Sequence, residues 1–194
     1  MANTCVNYIA ILSYDIEGLK KISDFFDGED NKLSFFCEKA GLDKEHYYLR
    51  GTLNYVEFVP DDDRVVLQVE SAWTPAVRLV RDIAKMFVPD CDVVYSSEEC
   101  GNELYYTNDP CYCGLYDIDV WNRDKLEKMN AAIDIESDDS ATESEVLKLL
   151  NRILNTDLMD IDALIKQLRE SDYNDIVYVN PWRKMSIDEA DGRR

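Results

Sequence analysis

Two stretches of the chain alternate apolar and polar side chains with a period of two. They are Thr-Leu-Asn-Tyr-Val-Glu-Phe-Val at 52–59 and Arg-Val-Val-Leu-Gln-Val-Glu-Ser at 64–71, separated by Pro60 and the triplet Asp61, Asp62, Asp63. Such alternation sends one face of a strand to a core and the other toward solvent, and Pro-Asp chemistry favours a turn. The segment therefore predicts an antiparallel hairpin, and it constrains the rest of the chain, because the apolar face of the hairpin must be covered. The Asp triplet is read as turn chemistry rather than as a cation site, since Asp hydrogen-bonds its own backbone in turns.

The cover is available on both sides. Residues 6–14 read as a buried strand; Asp15 then caps a segment in which Ile16, Leu19, Ile22, Phe25 and Phe26 recur at helical spacing before Gly28. Leu33, Phe35, Phe36 and Leu42 suggest a short helix before Gly41. After the hairpin, Thr74 as N-cap and Pro75 at the first helical position open a helix with Val77, Val80, Ile83, Ala84 and Phe87 on one face, which Pro89 stops. Residues 91–95, 103–107 and 115–121 read as further strands. The order β-α-β-β-α-β predicts an α+β domain over 1–122: a ferredoxin-like split βαβ antiparallel sheet with helices on one face. Beyond it the pattern turns helical, with stripes at Leu126, Met129 and Ile133, at Val146, Leu149, Leu150, Ile153 and Leu154, and at Ile161, Leu164, Ile165 and Leu168. Residues 123–194 are expected as a helical extension packed on the first domain, with a short strand near 176–179 and a frayed tail from 187.

Composition narrows the function. Forty acidic against 21 basic residues give a net charge of −19, which repels phosphate and excludes direct binding of nucleic acid. With 46% hydrophobic residues the chain can still bury a core. No apolar run approaches a membrane span and the N-terminus lacks a secretory signal, so a cytoplasmic protein without membrane contact is expected. The six cysteines, Cys5, Cys37, Cys91, Cys100, Cys111 and Cys113, contain no Cys-x-x-Cys pair, and are read as free thiols rather than a zinc site. His46 is the sole histidine. The glycines form no phosphate-binding loop and no nucleophile elbow. No enzyme activity and no cofactor are expected.

A resemblance joins these elements. Met1, Ala2, Asn3, Cys5 and Asn7 ahead of and within the first strand, then Ala72-Trp73-x-Pro75, Phe87 and Pro89, and Tyr95, Glu98, Glu99 and Gly101, resemble the YubB ferredoxin-like proteins of plasmids and phages. The likeness covers about residues 1–120, with Thr4 standing where the family has an aromatic. It implies a ferredoxin-like fold and a mobile-element context, and it brings no catalytic residues.

The acids are unevenly spread. Between Lys85 and Arg123 no base occurs, while Asp90, Asp92, Glu98, Glu99, Glu103, Asp109, Asp117 and Asp119 alternate with Tyr95, Tyr105, Tyr106, Tyr112 and Tyr116. Carboxylates on a rigid sheet present charge as phosphates do, and tyrosines add contact area at low entropic cost. The expected partner is the basic surface of a host nucleic-acid-binding complex, met by Glu98, Glu99, Glu103, Tyr105, Tyr106, Asp109, Asp117 and Asp119. The corresponding function is inhibition of a host defence or nucleic-acid-processing complex by nucleic-acid mimicry, of the anti-CRISPR or anti-restriction type. A cation-binding module is the alternative, with zinc at the cysteines or calcium at Asp134, Glu136, Asp138, Ser140, Thr142 and Glu145. Against calcium, Asp139 stands where an EF-hand loop needs Gly, and Thr142-x-x-Glu145 also reads as a capping box. Pairing of an exposed sheet edge with a second copy is a further partner class.

Overall fold

A computed structural model describes residues 3–28, 30–99, 104–120 and 140–191. It is a mixed α/β protein that divides into two compact units, one of residues 1–110 with 184–194 and one of residues 111–183. The division thus falls ahead of the change of pattern at 122, and the C-terminal segment belongs to the first unit.

In the first unit the elements run β1 (Thr4–Leu12), α1 (Ile16–Phe26), α2 (Leu33–Lys39), β2 (Gly51–Val59), β3 (Arg64–Ala72), α3 (Arg78–Phe87), β4 (Asp92–Glu99) and β5 (Leu104–Thr107). The hairpin forms as the alternation requires, and β1 pairs antiparallel with both β3 and β4. With the two-residue strand β9 (Arg183–Lys184), the six-stranded sheet has the order β2-β3-β1-β4-β5-β9. One face is dry: Ile9, Ile11, Val65, Leu67, Val69, Val93 and Tyr95 are buried with Leu19, Ile22 and Phe26 of α1, Leu33 and Phe36 of α2, and Leu79, Val80 and Ile83 of α3. Each fully buried side chain of this size contributes about 1.5–3 kcal/mol, so the helix-covered face dominates the unit's stability.

Two helix boundaries depart from the sequence expectation. Thr74 does not cap α3, whose N-cap is Val77; its hydroxyl donates instead to the Ala190 carbonyl at 3.4 Å. That contact belongs to a helix where a frayed tail was expected, α6 (Ile187–Asp191), with Ile187 and Ala190 buried in the core. Ser186 and Glu189 start it as a capping box: the Ser186 N–H and Oγ donate to Glu189 Oε2 at 2.9 and 2.7 Å, and the Glu189 N–H donates back to Ser186 Oγ at 3.3 Å.

The second unit has its own sheet, β7-β6-β8, from β6 (Leu115–Val120), β7 (Ala141–Thr142) and β8 (Val177–Pro181). The strand predicted at 115–121 therefore pairs with the one predicted at 176–179, and both leave the first sheet. Helices α4 (Glu143–Leu154) and α5 (Ile161–Arg169) bury Val146, Leu149, Leu150, Ile153, Leu164 and Leu168 against Ile118, Val177 and Val179. These are stripes the spacing predicted. The stripe at Leu126, Met129 and Ile133 lies outside the described residues. No helix among the described residues is long and apolar enough to cross a membrane.

Candidate docking face

The side of the first sheet away from its helices is built by register. One row reads Thr52, Glu70, Val6, Glu98, Tyr105 across β2, β3, β1, β4 and β5; the next reads Tyr55, Gln68, Tyr8, Ser96; the third reads Glu57, Val66, Ala10, Val94. The alternation of β1 explains why: Cys5, Asn7, Ile9 and Ile11 are buried, so Val6, Tyr8 and Ala10 must face the other way. Tyr8 and Tyr55 are 45% and 46% exposed, which leaves their rings available as contact area.

β2 joins this face only through a bulge. Leu53 pairs with Val69 on the dry side, yet Tyr55 pairs with Gln68 on the open side, with Asn54 inserted between them. The inserted residue flips the phase of the strand, so that Val56 and Phe58 pack on the core while Tyr55 and Glu57 face outward. The Tyr55 hydroxyl donates to Glu57 Oε2.

The face is anionic. At the outward positions of β1 to β4 the acids are Glu57, Glu70, Asp92 and Glu98, and the one base, Arg64, is ion-paired with Asp62 at 2.7 Å. Burial, then Glu98, then Glu70 push the Tyr8 phenol above its ordinary value. Its proton is therefore held more tightly folded than unfolded, and the stability this gives is present below about pH 10 and lost as pH rises through the folded value. In a Glu70→Gln/Glu98→Gln variant the phenolate loses two repelling neighbours, so Tyr8 titrates at lower pH than in the parent. A pH series of tyrosine ring-carbon NMR shifts reads this directly; an unmoved Tyr8 midpoint contradicts the electrostatic cluster.

The contact residues expected from sequence that are described fall on both sides of β4 and β5 and in both units. Glu98 lies on the open face, half-buried. Glu99 falls on the opposite side of β4, 1% exposed, and among the described residues neither carboxylate oxygen has a hydrogen-bond partner. Tyr106 is in the core, opposite Ser97, and Tyr105 is also buried, opposite Glu98. Asp109 is half-buried in the loop after β5, its N–H donating to Thr107 Oγ1 at 2.9 Å. Asp117 and Asp119 sit on β6 in the second unit, opposite Asn180 and Tyr178. Glu103 lies outside the described residues. Sequence reasoning followed acids along the chain, whereas a sheet gathers them across strands. Glu57, Glu70, Tyr8 and Tyr55 were therefore missed, although the polar half of each alternating segment marks them.

The candidate cation ligands are divided between the two units. Cys91 is buried in the first unit, its thiol pushed up chiefly by burial, while Cys111 and Cys113 are exposed in the second; Cys100 lies outside the described residues. Of the acidic loop, residues 134–139 are not described. Glu145 Oε2 accepts from the Thr142 N–H at 2.8 Å and its hydroxyl at 2.7 Å, closing the capping box of α4. Among the described residues no three His, Cys, Asp or Glu side chains are grouped to hold a metal ion. His46 is exposed beside Asp43. Comparison with protein-family models, with curated proteins and with solved structures finds no match.

Proposed function

We propose that this chain is a non-enzymatic inhibitor, carried by a phage or plasmid, that binds a host defence or nucleic-acid-processing complex in the cytoplasm through the basic surface meant for DNA or RNA. The observation that carries the reading is the row in which Glu70 and Glu98 flank Val6, with Glu57 and the exposed Tyr8 and Tyr55 beside it. Strands two apart hold carboxylates about 10 Å from one another on a stiff support, so a basic groove meets preset anions rather than mobile ones. The net charge of −19 steers such a partner from a distance, with association that slows steeply as salt is added. We also infer that β1, α1, β2, β3, α3 and β4 form a ferredoxin-like split βαβ unit, extended by β5 and β9. The strand order β2-β3-β1-β4 and the antiparallel pairings of β1 support that reading, as does the resemblance to the YubB proteins.

The test is functional. In cells carrying an active CRISPR or restriction system, expression of the parent chain raises transformation by targeted plasmid DNA. Glu57→Lys/Glu70→Lys/Glu98→Lys, at exposed or half-buried positions, keeps the parent circular dichroism and returns transformation to the empty-vector level. A triple variant that protects as well as the parent refutes the face as the inhibitory surface.

A further inference from the structure

The chain returns to the first unit at its C-terminal end, where β9 lies beside β5 and α6 follows. The Met185 N–H donates to the Thr107 carbonyl at 2.8 Å, and the Tyr95 hydroxyl donates to the Met185 carbonyl at 3.0 Å. Met185, Ile187 and Ala190 are the buried apolar anchors of this segment. A segment held by a two-residue strand and three apolar side chains is of the kind that opens locally, while the sheet beneath it stays formed.

The surface under this strap is basic. Arg78, Arg81 and Lys85 recur on one side of α3, whereas Leu79, Val80, Ile83 and Ala84 face the core. Asp188 of the strap meets the basic side: Arg81 Nη1 donates to its Oδ1 at 2.8 Å, and Arg78 Nε lies 4.0 Å from the same oxygen. The cover is incomplete. A cavity of about 600 Å³ is lined by Arg81, Lys85, Cys91 and Val93 and, from the strap, by Met185 and Asp188. Among the described residues the buried Arg78 Nε–H makes no hydrogen bond, and the Lys85 ammonium has no ion pair. Burial raises the Cys91 thiol, and Lys85 is the first of the neighbours that oppose the rise, which places its ammonium at the cavity. Glu189 of the strap does not serve these bases with the oxygen that caps Ser186.

We propose that the side of α3 bearing Arg78, Arg81 and Lys85 is a docking groove for an acidic amphipathic segment, and that residues 184–191 are a displaceable strap occupying it in the free protein. The strap brings one carboxylate, Asp188, to these bases and leaves the cavity open. A segment with a second carboxylate facing Lys85 and a larger apolar side chain beside Val93 fits the groove better than the strap does. Charge complementarity commits the occupant to an acidic one. This groove is therefore distinct from the acidic sheet face, whose proposed partner is basic.

The strap's own sequence is the probe: a labelled peptide of residues 184–194, titrated into the full chain and read by fluorescence anisotropy. In the parent the tethered strap competes at high effective concentration, so the peptide binds weakly. Asp188 has a side chain 69% exposed, so Asp188→Ser loosens the tethered copy and leaves the groove intact. The natural peptide then binds this variant about fivefold more tightly than it binds the parent, and about fivefold more tightly than a peptide carrying Asp188→Asn does. Hydrogen exchange reads the same opening without a ligand. In the parent the Met185 N–H exchanges faster than the amides of β1, and Asp188→Ser speeds it further while β1 is unchanged. A Met185 amide as slow as those of β1 shows a strap that leaves only with the whole fold, and overturns its displacement. Peptide affinities within about twofold for parent and Asp188→Ser, or for the natural and Asp188→Asn peptides, overturn the groove.

Discussion

Replacing Gly51 by valine should destabilise the first unit by about 3 kcal/mol or more, whereas deleting Asn54 from the same strand should leave the unit folded. A Cβ at Gly51 would lie 2.4 Å from the Glu70 carbonyl oxygen and 3.1 Å from the Ser71 Cα, so any side chain there forces β2 and β3 apart. Both of those atoms belong to the backbone of a paired strand, which cannot rotate away as a side chain would. Asn54 is the opposite case. It is the extra residue between Leu53, which pairs with Val69, and Tyr55, which pairs with Gln68. Without it Leu53 directly precedes Tyr55 and both pairs continue as a regular ladder. Plain alternation then keeps Leu53, Val56 and Phe58 inside and Tyr55 and Glu57 outward, as in the parent. The side chain that is lost accepts a hydrogen bond from the Thr52 hydroxyl at an exposed site. Circular dichroism and heat unfolding check both results: a Gly51→Val chain that melts near the parent refutes the close approach of the strands, and a deletion variant that does not unfold cooperatively refutes the account of the bulge.

That bulge was legible, though not as a bulge. The apolar positions of β2 are spaced by three between Leu53 and Val56 and by two between Val56 and Phe58, and a strand can hold all three inside only by inserting a residue. The hairpin, the stripes of α1, α3, α4 and α5, and the capping box at Thr142 were readable for a related reason: each is fixed by side chains a few positions apart. α6 obeys the same local rule, with Ser186 and Glu189 three apart ahead of Ile187 and Ala190, but the acidic composition of the tail masked the signal. The unit boundary was not local. β6 has the alternation of a first-sheet strand, and nothing near it in sequence reveals that its partner is β8, far along the chain. Burial at β5 was equally hidden. Tyr105 and Tyr106 are neighbours on a strand and so face opposite sides, yet both are buried, which depends on what covers each side rather than on the residues themselves. The anionic face follows this pattern: each acid was countable, but their rows exist only once strands distant in sequence are paired.

Replacing Asn7 by Leu should cost about 3–5 kcal/mol, although leucine is the more apolar and nearly the same size. Asn7 is completely buried in the central strand, between β3 and β4. Its amide donates to the Val69 carbonyl at 2.9 Å and to Ser71 Oγ at 3.0 Å, and its carbonyl accepts from Ser97 Oγ at 2.7 Å. Ser71 in turn donates to the Thr74 carbonyl at 2.7 Å, which fastens the chain just after Trp73. One side chain thus ties three strands and the entry to α3. Leucine removes every partner at once and leaves the Ser97 hydroxyl without its acceptor and the side-chain bonds to Val69 and Ser71 unmade, at about 1–3 kcal/mol for each buried polar group stranded. The coupling is measurable. Ser97→Ala alone leaves the Asn7 carbonyl with only the long hydrogen bond from the Cys5 thiol, at 3.8 Å, and in the double variant Asn7→Leu/Ser97→Ala no Ser97 hydroxyl remains to be stranded, so the double costs less than the sum of the singles. Urea unfolding of the parent, both singles and the double gives the cycle. A cost for Asn7→Leu below about 1 kcal/mol, or strict additivity with Ser97→Ala, shows that the network is not what holds these strands in register. Because Cys5 and Asn7 lie in the strand that carries Val6 and Tyr8 on its other face, loosening this network also loosens the rows above it.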